Sequence, residues 1–428
     1  MRRQLFAPTV GVFIVALVCL PAHAQVIAIT GGTVYPVSGP KIEHATVLIR
    51  DGKIAAVGGT VDIPAGAQRV DARGKWVTPG LINAATNLGL AEIQGVPETR
   101  DNVARGKDGI AASFTPWDGL NAASQLIAPA RNDGITGAVI MPQGGLISGQ
   151  AAMIDLLDGN GDAMVRKAPV AMTVTFNNVR GSGSGARGEM FARLREVLND
   201  ARTYATKRLQ YEAAQTRAFA ATKGDLEALQ PVLTGKLSLL VDADRRSDIE
   251  AALKLARDYK LKLIIGGGAE AWMVASDLAA AKVPVVTGGI LNIPRSFSTL
   301  GQRGDNAALL RKAGVSVLLI SDSYGDGGTF NVRNVRFEAG NAVANGMTWD
   351  DALRAVTLAP AEAFGVADRV GALTVGLDAN VVVWSGDPFE FLTQAEQVYI
   401  HGKRVDGPSR QDELMKRYRT LPPDYRAP

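Results

Sequence analysis

The stretch Trp76–Leu90, Trp-Val-Thr-Pro-Gly-Leu-Ile-Asn-Ala-Ala-Thr-Asn-Leu-Gly-Leu, reads as the end of one structural unit and the first strand of another. Val77 and Thr78 close an extended run, and Pro79-Gly80 is a strong turn signal. Leu81 and Ile82 open a short apolar strand, and small and polar residues follow. Two positions apart on a strand share a face, so Ala85 and Asn87 point the same way.

Working outward, residues 26–70 form a set of short strands. Val26–Ile29 and Ala45–Arg50 are apolar or alternating, and Asp51-Gly52 followed by Lys53–Val57 reads as a hairpin. The far end is similar, with Val370–Leu373, Asn380–Trp384 and Gln397–His401 separated by Gly, Asp and Pro. Two β-rich ends around a long middle predict one small β-sandwich assembled from 25–78 and 369–406. Residues 407–428 read as a surface tail.

Between them, short apolar runs alternate with helical spacing. Strands are expected at Ala138–Met141, Val170–Phe176, Leu237–Val241, Lys262–Ile265, Val283–Val286 and Val315–Ile320. Helices are expected at Phe191–Ala221 with one break, Ser247–Tyr259 on Ala251, Leu253 and Ala256, Ala269–Ala281, Asn306–Ala313 capped by Asp305, Phe337–Ala344 and Trp349–Val356. Strand–loop–helix repeated this often indicates an α/β fold with a parallel sheet. At this length the expectation is a (β/α)8 TIM barrel over 79–368, its site at the strand ends.

The first 24 residues read as a signal peptide, with Arg2-Arg3, apolar Val10–Leu20 and Ala22-His23-Ala24 before Gln25. The apolar run falls short of the ~20 residues a spanning helix needs. The expectation is a periplasmic protein with no membrane anchor after cleavage. Cys19, the one cysteine, leaves with that segment, which excludes disulfides and thiolate chemistry. With 46 Lys and Arg against 42 Asp and Glu, interspersed, nothing marks a nucleic-acid partner. Of three histidines, His23, His44 and His401, none lies between 45 and 400. The predicted barrel therefore lacks the usual general base and commonest metal ligand. His44 and His401 fall in the predicted sandwich and read as surface or interface residues, and Trp117 and Trp272 as packing. Gly183–Gly188 matches a dinucleotide-type glycine pattern by letters and reads instead as a loop.

Several segments together resemble the amidohydrolase superfamily of metal-dependent hydrolases, close to imidazolonepropionases and exported prolidase-like members. They are Ile29–Val37, Val47–Gly58, Pro79-Gly80-Leu81-Ile82, Thr357–Ala361 with Gly365, Gly371–Leu373 and Gly376–Asn380. The resemblance implies a metal-bearing barrel, a composite sandwich, and hydrolysis of C–N bonds in amides, cyclic amides or dipeptides. It also places the superfamily's ligands. The first-strand His-x-His pair falls on Ala85 and Asn87, and a fifth-strand Val-His-Ala-His-Arg on Val241-Asp242-Ala243-Asp244-Arg245. The sixth-strand histidine falls on Gly267, ahead of Gly268-Ala269-Glu270, and the eighth-strand aspartate on Asp322.

Every histidine position is substituted and one carboxylate survives. A metal ion makes hydroxide available by lowering the pKa of bound water to ~7. Without imidazoles that chemistry is not supplied. The expectation is a barrel with its standard metal centre lost, Asp322 as the catalytic carboxylate, and Asn87, Asp242, Asp244 and Glu270 binding a small-molecule substrate. No metal or other cofactor is expected, and the competing reading puts Mg, Mn or Ca on Asp242, Asp244 and Asp322. The alternative function is a non-catalytic ligand-binding subunit, as a homo-oligomer or paired with an active paralogue. Accessible carboxylates favour the enzyme, and carboxylates locked on Arg245 or Arg246 favour the alternative.

Overall fold

At Gly80 the chain passes from one sheet into another. The computed structural model describes residues 26–176, 185–288, 293–294, 296–321, 330–405 and 407–419. Five strands precede this glycine: β1 (Val26–Val34), β2 (Ile42–Arg50), β3 (Lys53–Gly58), β4 (Gln68–Asp71) and β5 (Trp76–Pro79). Eight follow it: β6 (Leu81–Thr86), β7 (Ile135–Ile140), β8 (Ile147–Asp155), β9 (Val165–Thr175), β10 (Ser238–Ala243), β11 (Leu263–Gly267), β12 (Val285–Gly288) and β13 (Val317–Ile320). Near the C-terminus come β14 (Val381–Trp384), β15 (Ala395–Ile400) and β16 (Lys403–Arg404).

The first sheet unites both ends of the chain. Its order is β16-β15-β14-β5-β1-β2-β3, with β4 beside β1. Strand β5 joins the two contributions, parallel to β1 and antiparallel to β14, with Trp76 opposite Trp384 and Pro79 opposite Val381. Gly80 then donates its N–H to Asn380 O, 2.9 Å away. A Cβ at residue 80 would lie 2.1 Å from Thr136 Oγ1, so only glycine lets the backbone pass here.

The second sheet runs β13-β12-β11-β10-β9-β8-β7-β6. Its edges approach where Asn83 of β6 donates to Ser321 Oγ, just past β13, at 2.9 Å, so the barrel is nearly closed. The expected all-parallel barrel needs correction at its third strand. β8 is antiparallel to both β7 and β9, while the other neighbours in this sheet are parallel. The residues between β7 and β8 are too few for the dozen or so that a parallel crossover needs. The chain turns instead at Gly144-Gly145, with φ of 98° and 66°.

Most helices fall where the spacing predicts. Arg187–Thr206 is followed by Arg208–Glu212, broken at Lys207 and ending nine residues short of the expected Ala221. Arg246–Tyr259 buries Ile249, Ala252, Leu253, Leu255 and Tyr259, a face turned slightly from the one expected on Ala251, Leu253 and Ala256. Val335–Ala344 and Trp349–Ala355 follow the sequence reading closely. Two details differ. Asp305 does not cap Asn306–Lys312, because its carboxylate is held by Arg303 at 2.6 Å. The tail contains a helix, Arg410–Tyr418, started by a capping box between Ser409 and Asp412. Among the described residues, no helix is long and apolar enough to cross a membrane.

Apolar and ionic contacts fasten the two sheets together. Tyr35, Trp76, Trp349 and Phe389 form a chain of rings with centroids 4.5–5.4 Å apart. The indole of buried Trp384 donates to Thr78 Oγ1 at 2.9 Å. Beside them Arg166 of β9 bonds Asp155 of β8 at 2.9 Å and Asp378 at 2.8 Å, all three side chains at most 5% exposed. Asp378 also receives Lys53 of β3 at 2.9 Å and Arg369 at 3.1 Å. His401, in the β15–β16 turn, sets Nε2 2.9 Å from Asp155 Oδ2 and 2.8 Å from the Arg166 guanidinium. It is therefore an interface residue, as expected of it. Burial pushes the Asp378 carboxyl up, but hydrogen bonds from Arg166 and Lys53 and the Arg166 charge outweigh it and hold the group below the usual carboxylate range.

Removing one partner of a buried ionic group strands the others, so Arg166→Met should destabilise the fold by about 3–5 kcal/mol, read as a lower urea midpoint at unchanged slope. Because the Asp378 pKa is depressed in the folded state, its contribution is complete above the unfolded carboxylate value of ~4 and is lost as pH falls through the folded value. Urea midpoints should therefore drop on acidification below about pH 4, with a shallower drop in Asp378→Asn.

Candidate functional site at the barrel mouth

Of the residues singled out in the sequence, Ala85, Asn87, Asp242, Asp244, Gly267 and Glu270 stand at or within three residues of the ends of barrel strands. Ala85 is half-buried near the end of β6, and Asn87 stands one residue past it, 1% exposed. The Asn87 carbonyl accepts from Leu90 N and Ala91 N at 2.9 and 3.1 Å, which turns the chain away from the barrel. Its Nδ2 is buried without a hydrogen-bond partner. The following loop returns Asn102, also 1% exposed, whose carbonyl accepts from Gln143 N at 2.7 Å. Both side-chain polar atoms of Asn102 are buried and unpartnered as well. Buried amide groups left in this state are uncommon, since desolvation is then uncompensated. Asn102 escapes a sequence reading because it sits in a loop with no periodic pattern.

At the neighbouring strand ends, β10 and β11 pair with Asp242 opposite Gly266 and Ala243 opposite Gly267. Asp242 is 7% exposed and accepts from Thr175 Oγ1, at the end of β9, at 3.0 Å. Asp244 Oδ1 accepts from Ala269 N at 3.2 Å, and the Asp244 carbonyl accepts from Glu270 N at 2.8 Å. Both carboxylates converge on Gly267. A Cβ there would lie 2.5 Å from Asp244 Oδ1 and 3.3 Å from Asp242 Oδ1. Gly267 also has φ of 79°, the left-handed region that disfavours a side chain. The geometry thus brings Asp242, Asp244 and Gly267 together, with Thr175 as a partner that strand alternation alone did not reveal.

The two arginines after Asp244 turn elsewhere. Arg245 bonds Asp248 at 2.8 Å and Arg246 bonds Glu250 at 2.7 Å. Asp248 is shared with Arg187 at 3.2 Å. Neither aspartate caps the helix Arg246–Tyr259, whose N-cap residue is Arg245 with no side-chain cap. Arg245 and Arg246 are thus spent on Asp248 and Glu250, and the contacts of Asp242 and Asp244 include a hydroxyl and a backbone N–H.

Glu270 is taken up by backbone. Its Oε2 accepts from Arg246 N at 2.8 Å and its Oε1 from Gly301 N at 3.3 Å, tying the loop after β11 to the starts of two other segments. Asp322, and Gly183-Ser184 of the glycine run, lie outside the described residues. Among the described residues, no group of three or more His, Cys, Asp or Glu side chains is placed to hold a metal ion.

A family model described as the amidohydrolase family matches residues 268–405. The amidohydrolase tasK of Hapsidospora irregularis is 24% identical over 393 residues, covering 83% of this chain and 39% of its own length. This chain thus spans well under half of that relative. An imidazolonepropionase of Bradyrhizobium diazoefficiens is 24% identical over 364 residues, covering 80% of this chain and 88% of its own. In three dimensions, an amidohydrolase from Thermotoga maritima superposes with a TM-score of 0.79 at 27% identity, over 89% of this chain and 99% of that one. The nearly closed eight-stranded barrel, the family-model match over part of the chain and these low-identity likenesses support the amidohydrolase superfamily.

Proposed function

We propose that this protein is an exported, periplasmic amidohydrolase of the imidazolonepropionase-like and prolidase-like branch in which the standard metal centre is lost. Its barrel mouth takes a small molecule carrying an amide, cyclic amide or dipeptide C–N bond, and hydrolysis there is altered or absent. The observation that carries the reading is at residue 267. By resemblance this is the position of the sixth-strand histidine. Here a glycine in left-handed backbone faces the Asp244 carboxylate where a side chain would begin. More than the imidazole is gone, because a neighbouring side chain occupies its direction.

The other donors fit zinc no better. Ala85 offers no ligand atom, Asn87 is a weak one, and Asp242 and Asp244 already accept hydrogen bonds. The residues present do not match the imidazole-rich set that zinc sites use. The competing reading, Mg, Mn or Ca on carboxylates, needs Asp322 as a third donor. Asp322 retains its proposed role as the surviving catalytic carboxylate, with Asn87, Asp242, Asp244 and Glu270 as the binding set. The second function is a non-catalytic binding or partner subunit on the same scaffold.

Elemental analysis of the purified mature protein, beside turnover of amides and dipeptides with and without Zn or Mn, tests the main reading. Sub-stoichiometric metal and turnover indifferent to chelator are expected, and tightly held stoichiometric zinc with chelator-sensitive turnover would sink it. Gly267→Ala should destabilise by about 1–3 kcal/mol from the left-handed backbone alone, plus a clash that Asp244→Ala relieves. Equal losses in the two backgrounds would mean that Asp244 does not fill the position. For export, N-terminal sequencing of the periplasmic fraction should begin at Gln25, and a chain retaining Met1 in the cytoplasm would contradict it.

A further inference from the structure

Asn87 and Asn102 stand at the two feet of one excursion of the chain. Between them residues 88–101 leave the barrel mouth and return. Asp101 N donates to Leu90 O at 2.7 Å, Glu92 N donates to Thr99 O at 3.1 Å, and Ala91 bridges Arg100 in antiparallel fashion. The segment after β7 holds both feet. Met141 N donates at 3.0 Å to the carbonyl of Thr86, the neighbour of Asn87, and Gln143 N donates at 2.7 Å to the carbonyl of Asn102. Two residues of chain reach at most about 7 Å, so the two asparagines belong to one corner of the mouth.

Among the described residues, seven buried side-chain atoms lack a hydrogen-bond partner. Arg100, Arg131, Asn132 and Arg336 account for one each, and Asn87 Nδ2, Asn102 Nδ2 and Asn102 Oδ1 are the rest. Asn102 is thus the side chain with both its donor and its acceptor open. A carboxamide presents its oxygen and one N–H side by side in one plane. The group that closes on both at once carries an N–H and a C=O on the same side. A primary amide has such an edge, and so does a cyclic amide, whose ring holds the C–N bond cis. An open peptide bond is trans, with N–H and C=O on opposite sides, and it can meet one of the two atoms only. A carbonyl oxygen also has two lone pairs, so the ligand's C=O can take Asn87 Nδ2 as well. Two donors and one acceptor on the protein then match two lone pairs and one N–H on the ligand.

We propose that Asn102, together with Asn87, binds the same-sided N–H and C=O edge of a small cyclic or primary amide and selects it against trans peptide bonds. Such a site narrows the reading of the mouth as the place of a small amide, on which it rests. Both side chains are closed off from water. The excursion 88–101, exposed at 95–98, parts to admit the ligand. Once inside, a ligand without the N–H leaves a buried acceptor unpaired, which lowers affinity by about tenfold or more.

The test is titration of the mature protein, with chelator present, by pyrrolidinone, N-methylpyrrolidinone and N-methylacetamide, followed on the side-chain amide NMR signals of Asn87 and Asn102. Pyrrolidinone should shift both signals. It should bind about tenfold or more tighter than N-methylpyrrolidinone, which lacks the N–H, and N-methylacetamide, which is trans. Asn102→Leu keeps the shape of the side chain and removes both open atoms. It should abolish the preference for pyrrolidinone while the urea midpoint holds or rises, because two unpaired buried groups are gone. Equal affinity for all three ligands overturns the preference and leaves the mouth an amide site, whereas binding of none of them overturns both. A preference that survives Asn102→Leu overturns the assignment to Asn102. So does a lowered midpoint in that variant, which would mark the carboxamide as already bonded within the fold.

Discussion

Two carboxylates, Asp155 on β8 and Asp378 beside β3, hold the guanidinium of Arg166 between them in a region where hardly any of the three is wetted. Strand β9 and strand β3, more than a hundred residues apart, are thereby fixed relative to one another through Lys53, Asp378 and Arg166. Such groups are expensive to desolvate and give back their energy only when all are paired. That requirement sets the position of the terminal sheet against the barrel within narrow limits. The ring chain from Tyr35 to Phe389 and the Trp384–Thr78 bond add area to a joint whose register the charges impose.

With that joint fixed, β5 delivers the chain through Gly80 into β6 at one place and angle. The mouth of the barrel then follows from where each strand stops. β9, β10 and β11 end side by side, which carries Thr175, Asp242 and Gly267 into one cluster. Asp242 is buried and Asp244 half-buried, and both carboxylates need donors. A threonine hydroxyl and the N–H of Ala269 are among those donors. The left-handed glycine between them is part of that arrangement, because its missing side chain is the space Asp244 uses. Loss of a histidine and gain of an internal hydrogen bond are here two sides of one local structure.

Much of the architecture was legible in the residues. Apolar alternation and Asp51-Gly52 located the first hairpin, and helical spacing located Arg246–Tyr259 and Trp349–Ala355 to within a residue or so. The third barrel strand, Ile147–Asp155, is not among the strands read from the sequence, and the short glycine-containing link after β7 makes it antiparallel. Asp305 resembled a cap, yet Arg303 two residues earlier competed for it. The tail resembled a loop because few of its positions are apolar, while its capping box was enough to start a helix.

For the site, the sequence by itself determined the inventory: no histidine from 45 to 400, carboxylates at 242 and 244, and glycine at 267. An inventory limits chemistry because a missing imidazole cannot be supplied by geometry. It left open which of the remaining groups meet, whether the arginines after Asp244 neutralise it, and what fills the space at Gly267. Only the tertiary structure decided these, sending Arg245 to Asp248 and Asp244 to Gly267. The physical reason is that hydrogen-bond partners and left-handed backbone depend on strands distant in sequence ending at a common level, and no local pattern of residue types encodes that level.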